Sequence, residues 1–315
     1  MQESNCCSDP PYTKDPMTKK ILCKQHFLEL IENRVKKSIL KYKMLSKVDH
    51  IGLGYSGGKD STVLLHMLSK IILNRHSKNQ VTVITIDEGI EGYREGFLEL
   101  TKKISSKYNF KHILVSFEDL YGATLDEIVY KSKKEGISLS ACALCGILRR
   151  RALNYGSQGA KITKIATAHN LDDEAQSIVM NLLRGDSGRF KRISRIPVRK
   201  FPSLIPRIRP LVKISEPEIV LYAHANNLEY HSVPCPYAFT AMRNDIRAFL
   251  SEMEKKRPST LVNIINVHDS LSQYFTKSEV SSTTFMCKSC NELTTKETCP
   301  VCQLLAKLGL KLKNS

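Results

Sequence analysis

The feature that most constrains this chain is a six-residue stretch that reads Ser56, Gly57, Gly58, Lys59, Asp60, Ser61. An apolar run over residues 50–55 precedes it, and apolar residues recur at helical spacing over residues 62–73. This order predicts a strand, a glycine turn and a helix. Adjacent glycines let backbone N–H groups approach an anion, and a new helix adds unpaired amides and the positive end of its dipole. The stretch is therefore predicted to bind phosphate. A plain glycine turn is the alternative.

This loop differs from the P-loop of the Walker type. The Walker motif has glycine five residues before its Gly-Lys pair, where this chain has Leu53. It also has Ser or Thr directly after the lysine, where this chain has Asp60. The serine-led pattern therefore indicates a different class of phosphate-binding loop.

Strand and helix patterns alternate after the loop, which predicts a doubly wound α/β domain with a parallel sheet. The predicted strands cover residues 81–86, 112–117 and 164–168, and the predicted helices cover 27–43, 92–107, 125–134, 171–184, 216–226 and 242–256. In such a domain the ligand crevice lies at the carboxyl ends of the strands. Ile86 and Asp87 end a strand at that edge, and we expect Ile86 to meet adenine through its backbone.

Asn170 and Asp173 stand at the predicted start of the helix 171–184. Asn170 suits the capping position and Asp173 the third helical position, so a capping role alone can explain Asp173. The helix begins at the same sheet edge as the phosphate loop, where a carboxylate can also hold a magnesium–phosphate complex. The two interpretations of Asp173 are compatible.

The overall charge favours a polyanionic partner. The 315 residues include 48 Lys and Arg against 31 Asp and Glu, a net charge of +17, although a basic surface can also serve solubility alone. Residues 184–213 hold ten basic residues, one acid and four prolines, so this charge is displayed on an extended segment. We expect the segment to contact a phosphate backbone, with a simply solvated face as the alternative.

Apolar runs in this chain are short. None reaches the roughly 18 residues that a membrane span needs, and the N-terminus lacks the hydrophobic stretch of a signal peptide. We therefore expect a cytoplasmic protein without a membrane segment. In that compartment the ten cysteines point to metal ligation and away from disulfides.

The C-terminal cysteines give the clearest metal signal. Two Cys-x-x-Cys pairs separated by eight residues predict a zinc ribbon whose ligands are Cys287, Cys290, Cys299 and Cys302.

The N-terminal cysteines are less regular. Cys23-x-x-His26 predicts half of a zinc site, with Cys7 as the third ligand and Cys6 as the candidate for the fourth. A regular pair would place cysteine at position 4, where Ser4 stands. A finger without metal is the alternative.

A third set of thiols lies in the middle of the chain. Helical spacing places Cys142, Cys145 and Arg149 on one face, and Cys235 follows ninety residues later in a turn bounded by prolines. Three thiolates without an evident fourth suggest an iron–sulfur cluster with one open iron. A redox dithiol, half of a zinc site and chance spacing are the alternatives. We expect this set to be separate in space from the C-terminal ribbon.

Taken together, the motifs resemble those of the TtuA-like tRNA 2-thiouridine synthetases, and most closely the archaeal and eukaryotic cytosolic tRNA 2-thiolation enzymes. They are SGGKDS at 56–61, DEGI at 87–90, CALCGILRRRAL at 142–153, TAHNLDDEAQ at 167–176, LLRGD at 182–186 and PCPY at 234–237. SGGKDS is also similar to the signature of the N-type ATP pyrophosphatases. The resemblance covers nearly the whole chain and implies an N-type ATP pyrophosphatase (HUP-like) fold, flanked by small N-terminal and C-terminal zinc-binding modules.

The resemblance implies a role for each motif. The residues that would bind ATP with Mg²⁺ are Ser56, Gly57, Gly58, Asp60, Ser61, Ile86 and Asp87. Those that would act in catalysis are Lys59, Arg149 and Asp173. The three cysteines that would hold a 4Fe-4S cluster are Cys142, Cys145 and Cys235. The uracil C2 oxygen of a tRNA would attack the α phosphate of ATP and displace pyrophosphate, and sulfur would then replace AMP at C2. The expected target is the anticodon wobble uridine.

The resemblance also implies partners and domain limits. The partners are tRNA and a ubiquitin-like sulfur carrier, and we expect a homodimer or a heterodimer with a related subunit. The expected units are an N-terminal zinc-finger-like module (1–34), the catalytic domain (35–258), a linker (259–284) and a C-terminal zinc ribbon (285–315).

Three other functions compete with wobble thiolation. They are the same chemistry at the T-loop uridine, a non-catalytic tRNA-binding subunit with zinc modules, and amide-forming adenylylation of another acceptor. The intact loop and the three central cysteines count against the pure binding subunit, which would need neither.

Overall fold

The computed structural model describes residues 7–15, 18–73, 79–93, 96–193, 195–197, 205–237, 242–275 and 285–313. The strands are β1 (Pro11–Lys14), β2 (Ile21–Cys23), β3 (His50–Gly54), β4 (Gln80–Asp87), β5 (Lys111–Ser116), β6 (Lys164–Ala166), β7 (Arg207–Ile208), β8 (Phe285–Met286) and β9 (Leu293–Thr294). The helices are α1 (Lys24–Lys41), α2 (Lys59–Leu73), α3 (Phe97–Lys107), α4 (Phe117–Tyr121), α5 (Leu125–Lys134), α6 (Ala141–Gly159), α7 (Leu171–Leu183), α8 (Ser187–Arg192), α9 (Glu216–Ala225), α10 (Met242–Lys256), α11 (Thr260–Phe275) and α12 (Pro300–Lys307).

The central sheet has five parallel strands in the order β5-β4-β3-β6-β7. Side chains alternate between its two faces, so neighbouring residues of one strand enter different cores. Val83 lies in a core with helices α1, α2 and α9, whereas Ile84 lies in a core with α5, α6 and α12. Helices therefore cover both faces, and the expected doubly wound α/β fold is confirmed.

The phosphate loop follows β3, the middle strand of this sheet. Because all five strands run in the same direction, the residues that follow β4, β6 and β7 emerge at the same edge as the loop. This arrangement brings the ends of four strands to one crevice.

The N-terminal residues form the antiparallel hairpin β1-β2, which leads directly into α1. The Tyr12 hydroxyl donates to the backbone oxygen of Leu221 in α9, at 2.9 Å. Helix α1 continues without a break through the expected boundary between residues 34 and 35, and its Ile31 and Val35 are completely buried in the main core. The hairpin is therefore anchored on the α/β core through α1.

The expected linker over residues 259–284 is wrong for its first part, because residues 260–275 form the helix α11. Leu261 and Ile265 of α11 are buried, at 3% and 0% exposure, and the helix packs against α7 and α10. The proline at position 258 separates two helices and does not end the domain, since apolar residues at helical spacing resume directly after it. Residues 276–284 lie outside the described residues.

The helix expected over residues 92–107 begins only at Phe97. Gly92 and Gly96 have positive φ, at +67° and +71°, a conformation that does not propagate a right-handed helix. Among the described residues, no helix is both long enough and apolar enough to cross a membrane.

Candidate active site

The loop between β3 and α2 has a geometry that requires glycine at position 57. Gly57 has φ +70°, and a Cβ there would lie 1.9 Å from Cε2 of Phe97. The Ser61 hydroxyl donates to the backbone oxygen of Gly58 at 3.0 Å and accepts from the Ser56 amide at 3.3 Å. The loop is therefore tightly closed, with the N-terminus of α2 directed toward the crevice.

Lys59 and Asp60 connect the loop to neighbouring helices. The Lys59 ammonium lies 2.7 Å from Oε1 of Glu216, at the start of α9, and 3.2 Å from Oδ2 of Asp60. Burial disfavours the charge of Lys59, but these two carboxylates outweigh burial and raise its pKa. Asp60 Oδ1 accepts from the Asn170 side chain at 2.9 Å, which joins the loop to the start of α7.

Asp173 caps α7 and also carries charge into the crevice. Its Oδ2 accepts from the Asn170 amide at 3.3 Å, and its Oδ1 lies 3.2 Å from Arg243 of α10. Burial raises the pKa of the Asp173 carboxyl, Arg243 opposes the shift, and the nearby Asp60 adds to it. Two carboxylates this close to a phosphate loop suit a magnesium ion, which prefers oxygen ligands. The capping interpretation of Asp173 is confirmed, and its second oxygen pairs with Arg243 at the crevice.

Cys145 and Arg149 lie on α6, at the opposite side of the crevice from α7. One terminal nitrogen of Arg149 lies 2.7 Å from Oε1 of Glu88 and 3.3 Å from Sγ of Cys145. Glu88 follows Asp87 at the end of β4 and has no exposed surface. Although burial disfavours the charge of Arg149, this carboxylate raises its pKa. Ile86, the residue expected to meet adenine, is the next-to-last residue of the same strand.

The pKa values of both cysteines of α6 depend in part on Cys235. Burial raises the pKa of the Cys145 thiol to about 11, and a charge on Cys235 contributes to this increase while Arg149 opposes it. The pKa of Cys142 is also raised, by burial first and by Cys235 second. The Cys142 thiol donates to the backbone oxygen of Tyr237 at 3.2 Å. Three thiols beside one guanidinium fit an iron–sulfur cluster, because thiolates ligate iron and the cation offsets their charge.

The segment that carries Cys235 is attached at both ends, and we call residues 229–237 the strap. The His231 amide donates to the backbone oxygen of Gly57 at 2.8 Å. At the other end, the Tyr237 hydroxyl donates to Asp126 of α5 at 2.6 Å. The His231 ring lies between Tyr93 and Phe97, with centroid separations of 6.1 and 5.8 Å. The strap therefore joins the phosphate loop to the site of the three cysteines.

Among the described residues, two groups of side chains have the geometry of ligands to a single metal ion, and the three central cysteines belong to neither group. The four thiols of Cys287, Cys290, Cys299 and Cys302 place one sulfur each within 4.8 Å of the others, as a tetrahedral zinc site requires. Cys7, Cys23 and His26 form a three-ligand group by the same measure. Cys6, the candidate for the fourth ligand, lies outside the described residues.

The C-terminal ribbon and the central cysteines are distinct sets of thiols, but both are connected to α6. The ribbon packs against α6, and Cys287, Cys299 and Cys302 share one buried apolar cluster with Cys145. Glu292 of β8–β9 pairs with the buried Arg151 of α6. Helix α6 therefore contributes Arg149 to the crevice and apolar residues to the core beneath the ribbon.

Four contributors to the crevice were not predicted from the sequence: Glu88, Glu216, His231 and Arg243. The Ser-x-x-Glu pattern at Ser215 and Glu218 indicates the start of a helix, and that start could have drawn attention to Glu216. No local pattern reveals that Glu216 pairs with a lysine 157 residues earlier.

The chain matches known proteins along most of its length. The family model ATP_bind_3, described as a PP-loop domain, matches residues 28–254. The cytoplasmic tRNA 2-thiolation protein 1 of Danio rerio is 37% identical over 312 residues, covering 98% of this chain and 89% of the relative. The protein of that name in Drosophila virilis is 36% identical over 304 residues, covering 96% and 87%.

A solved structure shares the whole architecture. The U34-tRNA thiolase NcsA of Methanococcus maripaludis, solved with its 4Fe-4S cluster, has a TM-score of 0.85 and 29% sequence identity. The match covers 100% of this chain and 99% of that one. On the strength of the PP-loop match and the curated relatives, this chain belongs to the PP-loop family that contains the cytoplasmic tRNA 2-thiolation proteins.

Proposed function

We propose that this protein is a tRNA sulfurtransferase that uses ATP to thiolate the C2 position of the anticodon wobble uridine. The observation that carries the proposal is the strap, which attaches a cysteine beside Cys142 and Cys145 to the backbone of the phosphate loop. Activation of the uridine by ATP and replacement of AMP by sulfur would then take place in one crevice. The names of the relatives and the cluster of the archaeal thiolase support the same activity.

ATP is needed because a carbonyl oxygen is a poor leaving group. The loop from Ser56 to Ser61 would bind the phosphates. Ile86 and Asp87, at the carboxyl end of β4, would flank the nucleotide. The uracil C2 oxygen attacks the α phosphate and displaces pyrophosphate. Lys59 and Arg149 would offset the negative charge that develops there. Asp60 and Asp173 would hold Mg²⁺ on the phosphates.

The adenylylated C2 is then open to replacement of AMP by sulfur. Cys142, Cys145 and Cys235 would hold a 4Fe-4S cluster, and the cluster would carry the sulfide, delivered by the sulfur donor, that replaces AMP at C2. Arg149, which contacts both Cys145 and Glu88, would act in both halves of the reaction.

The remaining assignments rest on the resemblance and on the relatives. Cys287, Cys290, Cys299 and Cys302 would bind one Zn²⁺, and Cys7, Cys23 and His26 would bind a second. The protein would act in the cytoplasm on tRNA, receive sulfur from a ubiquitin-like carrier, and form a homodimer or a heterodimer with a related subunit.

The first prediction concerns the products of ATP. In the presence of substrate tRNA the protein should convert ATP into AMP and pyrophosphate, as chromatography of labelled nucleotide would show. Ser56→Ala should abolish both the products and thiolation, because the Ser56 side chain belongs to the phosphate loop. Ser106→Ala, which removes an exposed hydroxyl from α3, is the matched control. ADP and phosphate as the products would contradict the pyrophosphatase mechanism.

The second prediction concerns the modified position. The archaeal structural relative is a U34-tRNA thiolase, and position 34 is the wobble position. Mass spectrometry of nucleosides from tRNA fragments should show that cells without this gene lose 2-thiouridine from anticodon fragments. Loss confined to T-loop fragments would refute the wobble assignment and leave the enzyme class intact.

The third prediction concerns the zinc ribbon. Cys287→Ser should remove about one zinc ion per chain, and it should also lower cluster absorption because the ribbon and Cys145 share a buried core. Cys23→Ser is the matched control, since its neighbours Leu22 and Phe27 belong to the core on the other face of the sheet. It should lower zinc and leave cluster absorption intact. Equal cluster absorption in wild type and Cys287→Ser would show that the ribbon is energetically independent of α6.

A further inference from the structure

Glu88 is a buried carboxylate at the edge of the sheet where the crevice lies. Only 1% of its side chain is exposed, and its Oε1 lies 2.7 Å from a terminal nitrogen of Arg149. A carboxylate that is shielded from water is costly to keep charged unless a cation lies beside it. The guanidinium of Arg149 supplies a cation at this distance, so the two side chains form one unit.

The two members of this pair differ in their access to the crevice. The side chain of Arg149 is 45% exposed, whereas that of Glu88 is almost completely covered. A substrate in the crevice can therefore reach the guanidinium but not the carboxylate. Glu88 can influence the reaction only through the arginine that it contacts.

The backbone that carries Glu88 is held in place on both sides. The Leu125 amide, at the start of α5, donates to the backbone oxygen of Glu88 at 2.7 Å. The next residue, Gly89, has φ +66°, and a Cβ there would lie 2.7 Å from Cγ2 of Thr124. The Gly89 amide donates to the Asp87 side chain at 2.9 Å. The carboxylate therefore stands on a fixed support between β4 and α5.

Arg149 reaches this fixed carboxylate through a long side chain with many rotamers. The nitrogen that lies beside Glu88 also donates to Sγ of Cys145 at 3.3 Å. Within the described residues, both of these polar contacts use the same terminal nitrogen, and a guanidinium has further N–H donors on its other two nitrogens. Two contacts at one end of a rigid, planar group fix its orientation and leave donors for a ligand.

We propose that Glu88 is a positioning residue, which holds the guanidinium of Arg149 in one orientation beside Cys145 before the substrates bind. The proposal rests on the proposed function, in which Arg149 offsets charge at the α phosphate, and deepens it. Donors that are already oriented stabilise developing charge without rearrangement at the moment of reaction. The ordering of the long arginine side chain is then completed on folding and not during each turnover.

The kinetic test uses two substitutions of Glu88. Glu88→Gln keeps the size of the side chain and removes its charge, whereas Glu88→Asp keeps the charge and withdraws it by one methylene. Both should lower kcat for tRNA thiolation about tenfold to a hundredfold, the usual effect of removing a residue that orients an active-site group. KM for ATP should change less than about twofold, because an interaction used only in the transition state is lost.

The same variants should retain the visible absorption of the iron–sulfur cluster, because Glu88 supplies no thiol. Glu118→Gln is the matched control, since it removes an exposed carboxylate from α4 and should leave kcat unchanged.

A second arm measures thermal unfolding, which does not depend on thiolation. Arg149→Gln leaves the buried carboxylate of Glu88 without this cation, and it should lower Tm by roughly 5 to 10 °C. Adding Glu88→Gln to that variant removes the uncompensated charge and should recover most of the loss. If Glu88→Gln does not fold alone, Glu88→Asp carries the kinetic comparison and the double variant carries the thermal one.

Three results would overturn the proposal. They are an unchanged kcat in both Glu88 variants, a loss of cluster absorption that accounts for the whole loss of kcat, and losses of Tm that add in the double variant. The second would make Glu88 a support for the cluster alone, and the third would show that the two side chains act independently. Failure of the proposed function looks different, since wild type itself would then thiolate no tRNA while the thermal arm would keep its outcome.

Discussion

The backbone hydrogen bond from His231 to Gly57 is the contact on which the rest of the site depends. It holds the strap against the phosphate loop, and Cys235 lies four residues further along the strap. The loop can accept this contact because Gly57 has a positive φ and no Cβ, which leaves the space that Phe97 occupies. A change in the conformation of the loop on nucleotide binding would therefore be transmitted through the strap to Cys235, which is distant from the loop in sequence.

The parallel sheet explains why residues from distant parts of the sequence meet in one crevice. Strand β3 leads into the phosphate loop, Glu88 follows β4 and pairs with Arg149, and the short segment after β6 leads to Asn170, the cap of α7. Each side chain leaves the sheet at the same edge, so none needs a long loop to reach the others. The two terminal modules then support opposite faces: the hairpin β1-β2 rests on α9, and the ribbon rests on α6.

The fold and the family could be predicted from the sequence because they depend on local patterns. SGGKDS marks a strand-to-helix turn, alternating apolar runs mark a parallel sheet, and both were confirmed. Contacts between distant segments could not be predicted. The pairing of Lys59 with Glu216 and the position of the ribbon against α6 depend on tertiary packing, which leaves no periodic signal. Helix α11 was not predicted, although apolar residues at helical spacing resume directly after Pro258.

The central claim is that Cys142, Cys145 and Cys235 form one site beside the phosphate loop. Anaerobic purification followed by visible absorption and iron analysis tests it most directly. The account predicts an iron–sulfur chromophore with about four irons per chain, as a 4Fe-4S cluster requires. It also predicts that serine at any one of the three positions removes this chromophore. A colourless, iron-free wild-type protein that still binds tRNA would contradict the account and favour a non-catalytic binding subunit.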